Sequence, residues 1–246
     1  MKKSFFEGRV VSISKRWRIY LAQWFDRHGV SESGMVMFTA LAVGVGAGLG
    51  AVLFRRLISG VQALSYDGLG GLLHWMAPFH LLIIPAVGGA IFGPLIYLFA
   101  REAKGHGVPE VMEAVALRGG RIRPRVAVVK AFASAICIGT GGSVGREGPI
   151  AQIGSALGSA VGQLFKLSDE RVRNLVACGA AGGIAATFSA PIGGSLFALE
   201  VILAQFNAVY FGAVVISAVT ASVIANIFEG GIPIFSIPAY TMVSSW

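Results

Sequence analysis

The chain has 246 residues, of which 55% are hydrophobic and 13% charged, against about 25% charged in soluble domains, and its mean hydropathy is +0.73. A soluble core does not need that much apolar surface, so an ordinary cytosolic globular domain is excluded and a membrane protein is indicated. The net charge of +8 sits in loops and at the N-terminus beside apolar spans, which makes it a topology signal rather than a nucleic-acid footprint.

The basic N-terminus, Met1-Lys2-Lys3, is not followed by an apolar stretch with a small-residue cleavage site, so no removable signal peptide is expected. Residues 11–28 mix Ile13, Trp17, Ile19, Tyr20 and Trp24 with Lys15, Arg16, Arg18 and Arg27. That is the pattern of an amphipathic helix lying at the membrane interface. The chain therefore divides into an interfacial segment at 1–30 and a transmembrane region at 31–246.

Apolar spans are predicted at 35–64 and 72–100, the second without an acidic residue and with Pro85 and Gly88-Gly89 inside it. A short stretch follows Pro109, then spans at 126–138, 149–165, 175–188, 191–203 and 209–228. Several fall short of the ~20 residues a crossing helix needs. Short segments interrupted by Gly and Pro are what transporters use to bring helix ends to the membrane midplane. The 34 glycines include Gly44, Gly46, Gly48 and Gly50, Gly154 with Gly158, and Gly179 with Gly183, at spacings that read as close helix packing in lipid.

Two glycine turns carry chemistry. In Gly141-Gly142-Ser143-Val144-Gly145-Arg146-Glu147-Gly148-Pro149 a carboxylate stands between glycines at the mouth of an apolar helix. A charge at membrane depth costs roughly 2.5–3.5 kcal/mol on insertion scales, so an intramembrane Glu is a functional candidate by default. Glycines let backbone N–H groups converge on an anion, and Pro149 fits the first helical position. Lys104-Gly105-His106-Gly107-Val108-Pro109-Glu110 repeats the form. Two such N-termini, each worth about half a positive elementary charge, can be aimed at one point. A nucleotide loop is ruled out, since Gly139 to Gly145 has neither GxGxxG at the required offsets nor GK[ST].

Other chemistries find little support. Cys137 and Cys178 read as small buried hydrophobes, and His28, His74 and His80 form no metal-ligating cluster. Ser134 and Ser143 have no evident His or Asp partner, and no paired carboxylates share a face near Glu147, so neither an enzyme nor a cofactor is expected.

Gly145-Arg146-Glu147-Gly148-Pro149 is identical to the GREGP signature of the CLC chloride channels and chloride/proton exchangers, and Gly105-His106-Gly107-Val108-Pro109 resembles that family's GSGIP motif. Lys130 between them fits as well. Gly179-Ala180-Ala181-Gly182-Gly183, Ala190-Pro191-Ile192-Gly193-Gly194 and Leu196-Phe197-Ala198-Leu199-Glu200 resemble the segment leading into the family's dimer-interface helices. The resemblance runs from about residue 35 to the end. It implies an all-α polytopic membrane fold of tilted, partly discontinuous helices, the first half of an inverted-repeat architecture.

It further implies that Glu147 is a gate, filling an anion site when ionised and leaving it when protonated or displaced. Gly105, His106, Gly107, Val108 and Pro109, with Gly145, Arg146, Gly148 and Pro149, would frame the anion sites. Arg146 either draws anions to the outer entrance or ties down loops through its five donors.

Three departures qualify this. His106 stands where the motif has Ser; either its imidazole faces the ion and alters selectivity among chloride, nitrate and fluoride, or it turns away and only backbone N–H groups serve. Val201, after Glu200, stands where exchangers carry a proton-feeding glutamate and family channels carry Val. Glu200 either caps or pairs within its helix or stands in as a proton relay. The resemblance covers only a first half, with no GxFxP motif and no late pore-lining tyrosine.

The expectation is a voltage- or proton-gated chloride channel with a glutamate gate. The alternatives are a chloride/proton antiporter or a non-transporting half-domain. Implied partners are chloride and other small anions, protons, the lipid bilayer, a second copy in a homodimer and a C-terminal half needed for a complete pore, with no nucleic acid. Arg118, Arg121, Arg123 and Arg125 form the densest basic loop. The positive-inside rule places it and the N-terminus in the cytoplasm of a multi-pass protein of the cell (plasma or inner) membrane.

Overall fold

The structure is a computed structural model and describes residues 32–72, 79–99, 105–205 and 208–230. The interfacial segment predicted at 1–30 lies outside them. Among the described residues every regular element is helical. Besides a single turn at Gly70–Leu72, the helices are α1 (Glu32–Gln62), α2 (His80–Phe99), α3 (Val108–Leu117), α4 (Arg125–Gly139), α5 (Glu147–Leu164), α6 (Asp169–Phe188), α7 (Pro191–Phe197) and α8 (Ala208–Glu229). A π-helical stretch, Ala63–Leu69, extends α1, and a π turn, Ala198–Ile202, extends α7.

Each predicted span contains a helix; of the span predicted at 72–100, α2 covers His80–Phe99 and residues 73–78 and 100 lie outside the described residues, and two shifted ends have local causes. α6 begins at Asp169, well before the predicted 175, because its first turn is charged rather than apolar. Ser168 is its N-cap residue, with Asp169 and Glu170 against the positive N-terminus. α5 begins at Glu147, so Pro149 is the third helical residue rather than the first. The first four N–H groups have no intrahelical acceptor, so the proline still breaks no bond.

Among the described residues three helices suffice, by length and composition, to cross a membrane: Gly34–Gly68, His80–Phe99 and Tyr210–Glu229. The rest of the domain is built around α6. Its Ala/Gly face from Ala177 to Thr187 is almost wholly buried, packed by α5, α8, α1 and α7. Small residues make this possible, because they let backbones approach where lipid offers no hydrophobic drive for association. A side chain at Gly154 would overlap the Gly179 carbonyl, and one at Gly179 the Gly154 carbonyl; Gly158 meets Leu175 in the same way. Across α1 and α8, a Cβ at Gly44 would stand 2.7 Å from the Ser217 carbonyl oxygen and one at Gly48 2.9 Å from that of Ala221. Gly46, of the same sequence pattern, faces open space. Spacing alone did not separate the two cases.

Polar ties fix the ends. Ser217 Oγ donates to the Cys178 carbonyl (2.8 Å) inside the bundle. Arg55 donates to the Thr187 carbonyl (3.1 Å) and pairs with Glu229, joining α1, α6 and α8. The basic loop after α3 is held by α5: the Ile122 N–H donates to Ser159 Oγ (2.8 Å), Ser159 Oγ donates to the Gly120 carbonyl (2.7 Å), and Gln163 Nε2 donates to the Ile122 carbonyl (2.7 Å). Arg121 pairs with Asp169 at 2.7 Å. The C-terminal ends of α3 and α5 and the N-terminal ends of α4 and α6 therefore share one face.

Candidate functional site

The two glycine turns meet. A Cβ at Gly107 would stand 2.5 Å from the Gly148 carbonyl oxygen, and one at Gly148 would overlap the His106 carbonyl oxygen. Only glycine at both positions permits this approach. Gly107 also has φ = +104°, a conformation L side chains rarely adopt, and it is the N-cap of α3. The N-termini of α3 and α5 thus abut backbone to backbone, bringing together Gly105, His106, Gly107, Val108, Pro109, Glu147, Gly148 and Pro149.

α3 has 10 residues, about 15 Å at 1.5 Å per residue, and its far end joins the Arg-rich loop. A helix of that length rising from one membrane surface reaches roughly half of the ~30 Å hydrocarbon thickness. The abutting N-termini of α3 and α5 bring their polar N–H groups together, and positive helix ends of this kind attract an anion.

Glu147 is the first residue of α5, exposed in this chain, and its carboxylate curls back over Gly145 into the space a side chain there would fill. A negative group so placed interacts favourably with the α5 N-terminus, as a free anion would. The approach to it comes off α4, whose C-terminus unwinds through Gly141 at φ = +94°. The Gly142 N–H donates to the Cys137 carbonyl (2.8 Å) and Tyr66 OH to that of Thr140 (3.1 Å). Gly145, Arg146 and the His106 side chain are also exposed. Among the described residues the Arg146 guanidinium has no hydrogen-bond or ion-pair partner, while the Arg146 carbonyl accepts the Ile150 N–H (3.1 Å).

Glu200 and Val201 are not part of this junction. They lie in the π turn Ala198–Ile202, Glu200 exposed and Val201 half-buried, and that turn packs against α3. A π turn inside a helix commonly marks a functional site.

Residues that sequence reasoning passed over also enter. Glu110 accepts the Gly107 N–H on Oε2 (2.8 Å). Lys130, which entered only through the resemblance, donates from Nζ to the Gly105 carbonyl (2.6 Å) and is buried. Glu110 was findable, because a Glu three residues after an N-cap is the capping-box spacing. Gln152, 2% exposed, lies beside Gly107 and lines a cavity of about 230 Å³ with Glu110, Glu113, Arg118, Arg121 and Arg123. Among the described residues no three His, Cys, Asp or Glu side chains group to hold a metal.

Comparison with known proteins shows the family and the fold. The family described as "Voltage gated chloride channel" matches residues 88–246. The chain is similar to the H(+)/Cl(-) exchange transporter ClcA of Vibrio cholerae, at 36% identity over 217 residues, covering 83% of this chain and 45% of that protein. It is also similar to a putative chloride channel protein ClcB-like of Ralstonia nicotianae, at 30% over 211 residues, covering 83% and 49%. The chain spans about half the length of these curated relatives. Among solved structures, a slow cyanobacterial Cl-/H+ antiporter aligns with a TM-score of 0.70 at 24% identity, covering 85% of this chain and 50% of that one. A CLC-type fluoride/proton antiporter aligns at 0.69 and 22%, covering 87% and 52%. Those alignments establish the shared fold, that of an all-α membrane protein. Since the family match takes in more than half of the chain, the protein belongs to the voltage gated chloride channel family.

Proposed function

We propose that this chain supplies one half of the anion pathway of a chloride/proton exchanger. The single observation that carries the reading is the backbone contact of two helix N-termini at the Gly107–Gly148 junction, with Glu147 as the first residue of one of them. A carboxylate there competes with chloride for the same N–H groups. Ionised, it fills the place; protonated, it loses its attraction and yields to the anion, so that anion passage and proton carriage use one side chain. The names of the relatives support exchange over the channel that Val201 suggested. The other half of the pathway, the homodimer, and a cytoplasmic N-terminus with the Arg118–Arg125 loop on the same side belong to this proposal.

The channel reading keeps one specific support. An exchanger needs a proton route from the inner solution to Glu147, and Val201 cannot bind a proton. Glu200, next to it in the π turn and exposed, is the candidate relay. The reversal potential of the reconstituted, transport-competent assembly under a pH gradient at fixed chloride decides between the two. Displacement from the chloride equilibrium value is expected, and Glu200→Gln should reduce it. A reversal potential unmoved by pH returns the channel.

His106 sets a second expectation. If its exposed imidazole reaches the ion, His106→Ser changes the ratio of chloride to nitrate flux; an unchanged ratio assigns recognition to backbone N–H groups alone.

A further inference from the structure

We propose that Lys130 and Glu110 act as a pair of opposed charges that shapes the His106 turn from behind and sets its affinity for anions; the affinity part rests on the anion-transport reading above. Lys130 lies in the middle of α4 and is only 4% exposed, among Ala127, Ala133 and Ser134. Burying an ammonium costs several kcal/mol unless it is paired and hydrogen-bonded, so its position calls for a reason. Its Nζ grips the turn at the carbonyl just before His106, that of Gly105, at 2.6 Å. Glu110 grips the turn just after His106: Oε2 accepts the Gly107 N–H at 2.8 Å, while its other oxygen lies over Gly105. The charge of Glu110 also acts on Lys130. One residue thus holds a carbonyl and the other an amide on either side of His106, and together they hold Gly107 at φ = +104°.

The electrostatics give the pair signed effects. The α3 N-terminus carries about half a positive elementary charge, Lys130 a full positive one, and Glu110 cancels one. An anion at the junction therefore meets a modest net attraction, enough to enter and weak enough to leave. Removal of Lys130 leaves Glu110 uncompensated and repels the anion. Removal of the Glu110 charge leaves Lys130 uncompensated and retains it. A pair that served folding alone would give two damaged variants with no opposition of sign.

Gly105-His106 is the only Gly-His step in the chain. The 246-residue chain labelled with carbonyl-¹³C glycine and ¹⁵N histidine therefore gives one correlated amide signal, from the carbonyl that Lys130 holds. Lys130→Met is expected to move that signal, and so is Glu110→Gln, which keeps an acceptor for Gly107 and the shape of the side chain without its charge. A signal unmoved in both overturns the pair whatever the protein transports. In liposomes carrying the transport-competent assembly, the half-saturating chloride concentration is expected to rise about tenfold in Lys130→Met, the equivalent of about 1.4 kcal/mol. It should fall in Glu110→Gln and return near the unmutated value in the double variant. Shifts of the same sign in both single variants, or changes in maximal rate with no change in half-saturation, overturn the proposal. Should the unmutated assembly carry no anion, the transport reading falls while the carbonyl signal still decides the geometry.

Discussion

Glu147→Gln is expected to leave anion flux intact and remove both its pH response and its coupling to protons. A single titrating gate changes its minority protonation state about tenfold per pH unit away from its pKa. The amide cannot ionise, so it stands as a permanent mimic of the protonated side chain. The measurement is chloride efflux from liposomes over a range of external pH, together with the reversal potential under a proton gradient. A flat pH profile and a reversal potential at the chloride equilibrium are the expected results. A steep residual pH response would make some other residue the gate, with His106 next in line by position. The effect is expected to be local because Glu147 is exposed and its carboxylate lies over its own turn at Gly145.

Gly154→Val is expected to be the most damaging single change in the core. Gly154 and Gly179 each lie against the other's carbonyl, so an added side chain cannot be absorbed by rotating a neighbour, and α5 and α6 must separate. Overpacking of a side-chain core costs about 1–3 kcal/mol, and here backbone must move, which places the variant at or beyond the upper end. Loss of the monodisperse species in detergent and a lowered midpoint of thermal unfolding are the readouts. Gly46→Ala is the matched control: it faces open space and should be neutral or stabilising by up to about 1 kcal/mol through helix propensity. Equal behaviour of the two variants would show that the α5–α6 contact does not hold the domain.

Much of this arrangement could be read from the residues in order. The hydropathy of 35–64, 72–100 and 209–228 marked the long spans, and Pro after a glycine turn marked the starts of α3 and α5. What escaped notice has physical causes. The charged first turn of α6 has no apolar signature, although Ser168 followed by Asp169 and Glu170 is a recognisable helix start. The π turn at Ala198–Ile202 leaves no mark in local composition, whereas its packing against α6 and α3 is tertiary. Convergence of the two glycine turns was legible as a possibility, but their backbone contact is a tertiary fact. The hold of Lys130 on Gly105 joins α4 to the turn before α3, which no local pattern encodes. Glu110, by contrast, was a capping-box glutamate in plain view.

The burial of α6 bears on how the protein is made. Its sequence, DERVRNLVACGAAGGIAATF, is rich in Ala and Gly and begins with charges, and it is absent from the helices apolar enough to cross a membrane on their own. Partition into lipid as an isolated segment would gain little, since Ala and Gly offer small apolar area while the charged turn resists entry. What makes its place favourable is contact with α1, α5, α7 and α8, and the last two are synthesised after it. During translation α6 is therefore expected to wait at the insertion machinery, shielded from lipid, until α8 emerges and the Arg55–Glu229 tie can close. Insertion in this protein would then proceed as a cooperative packet rather than helix by helix, with α8 as the segment that releases it.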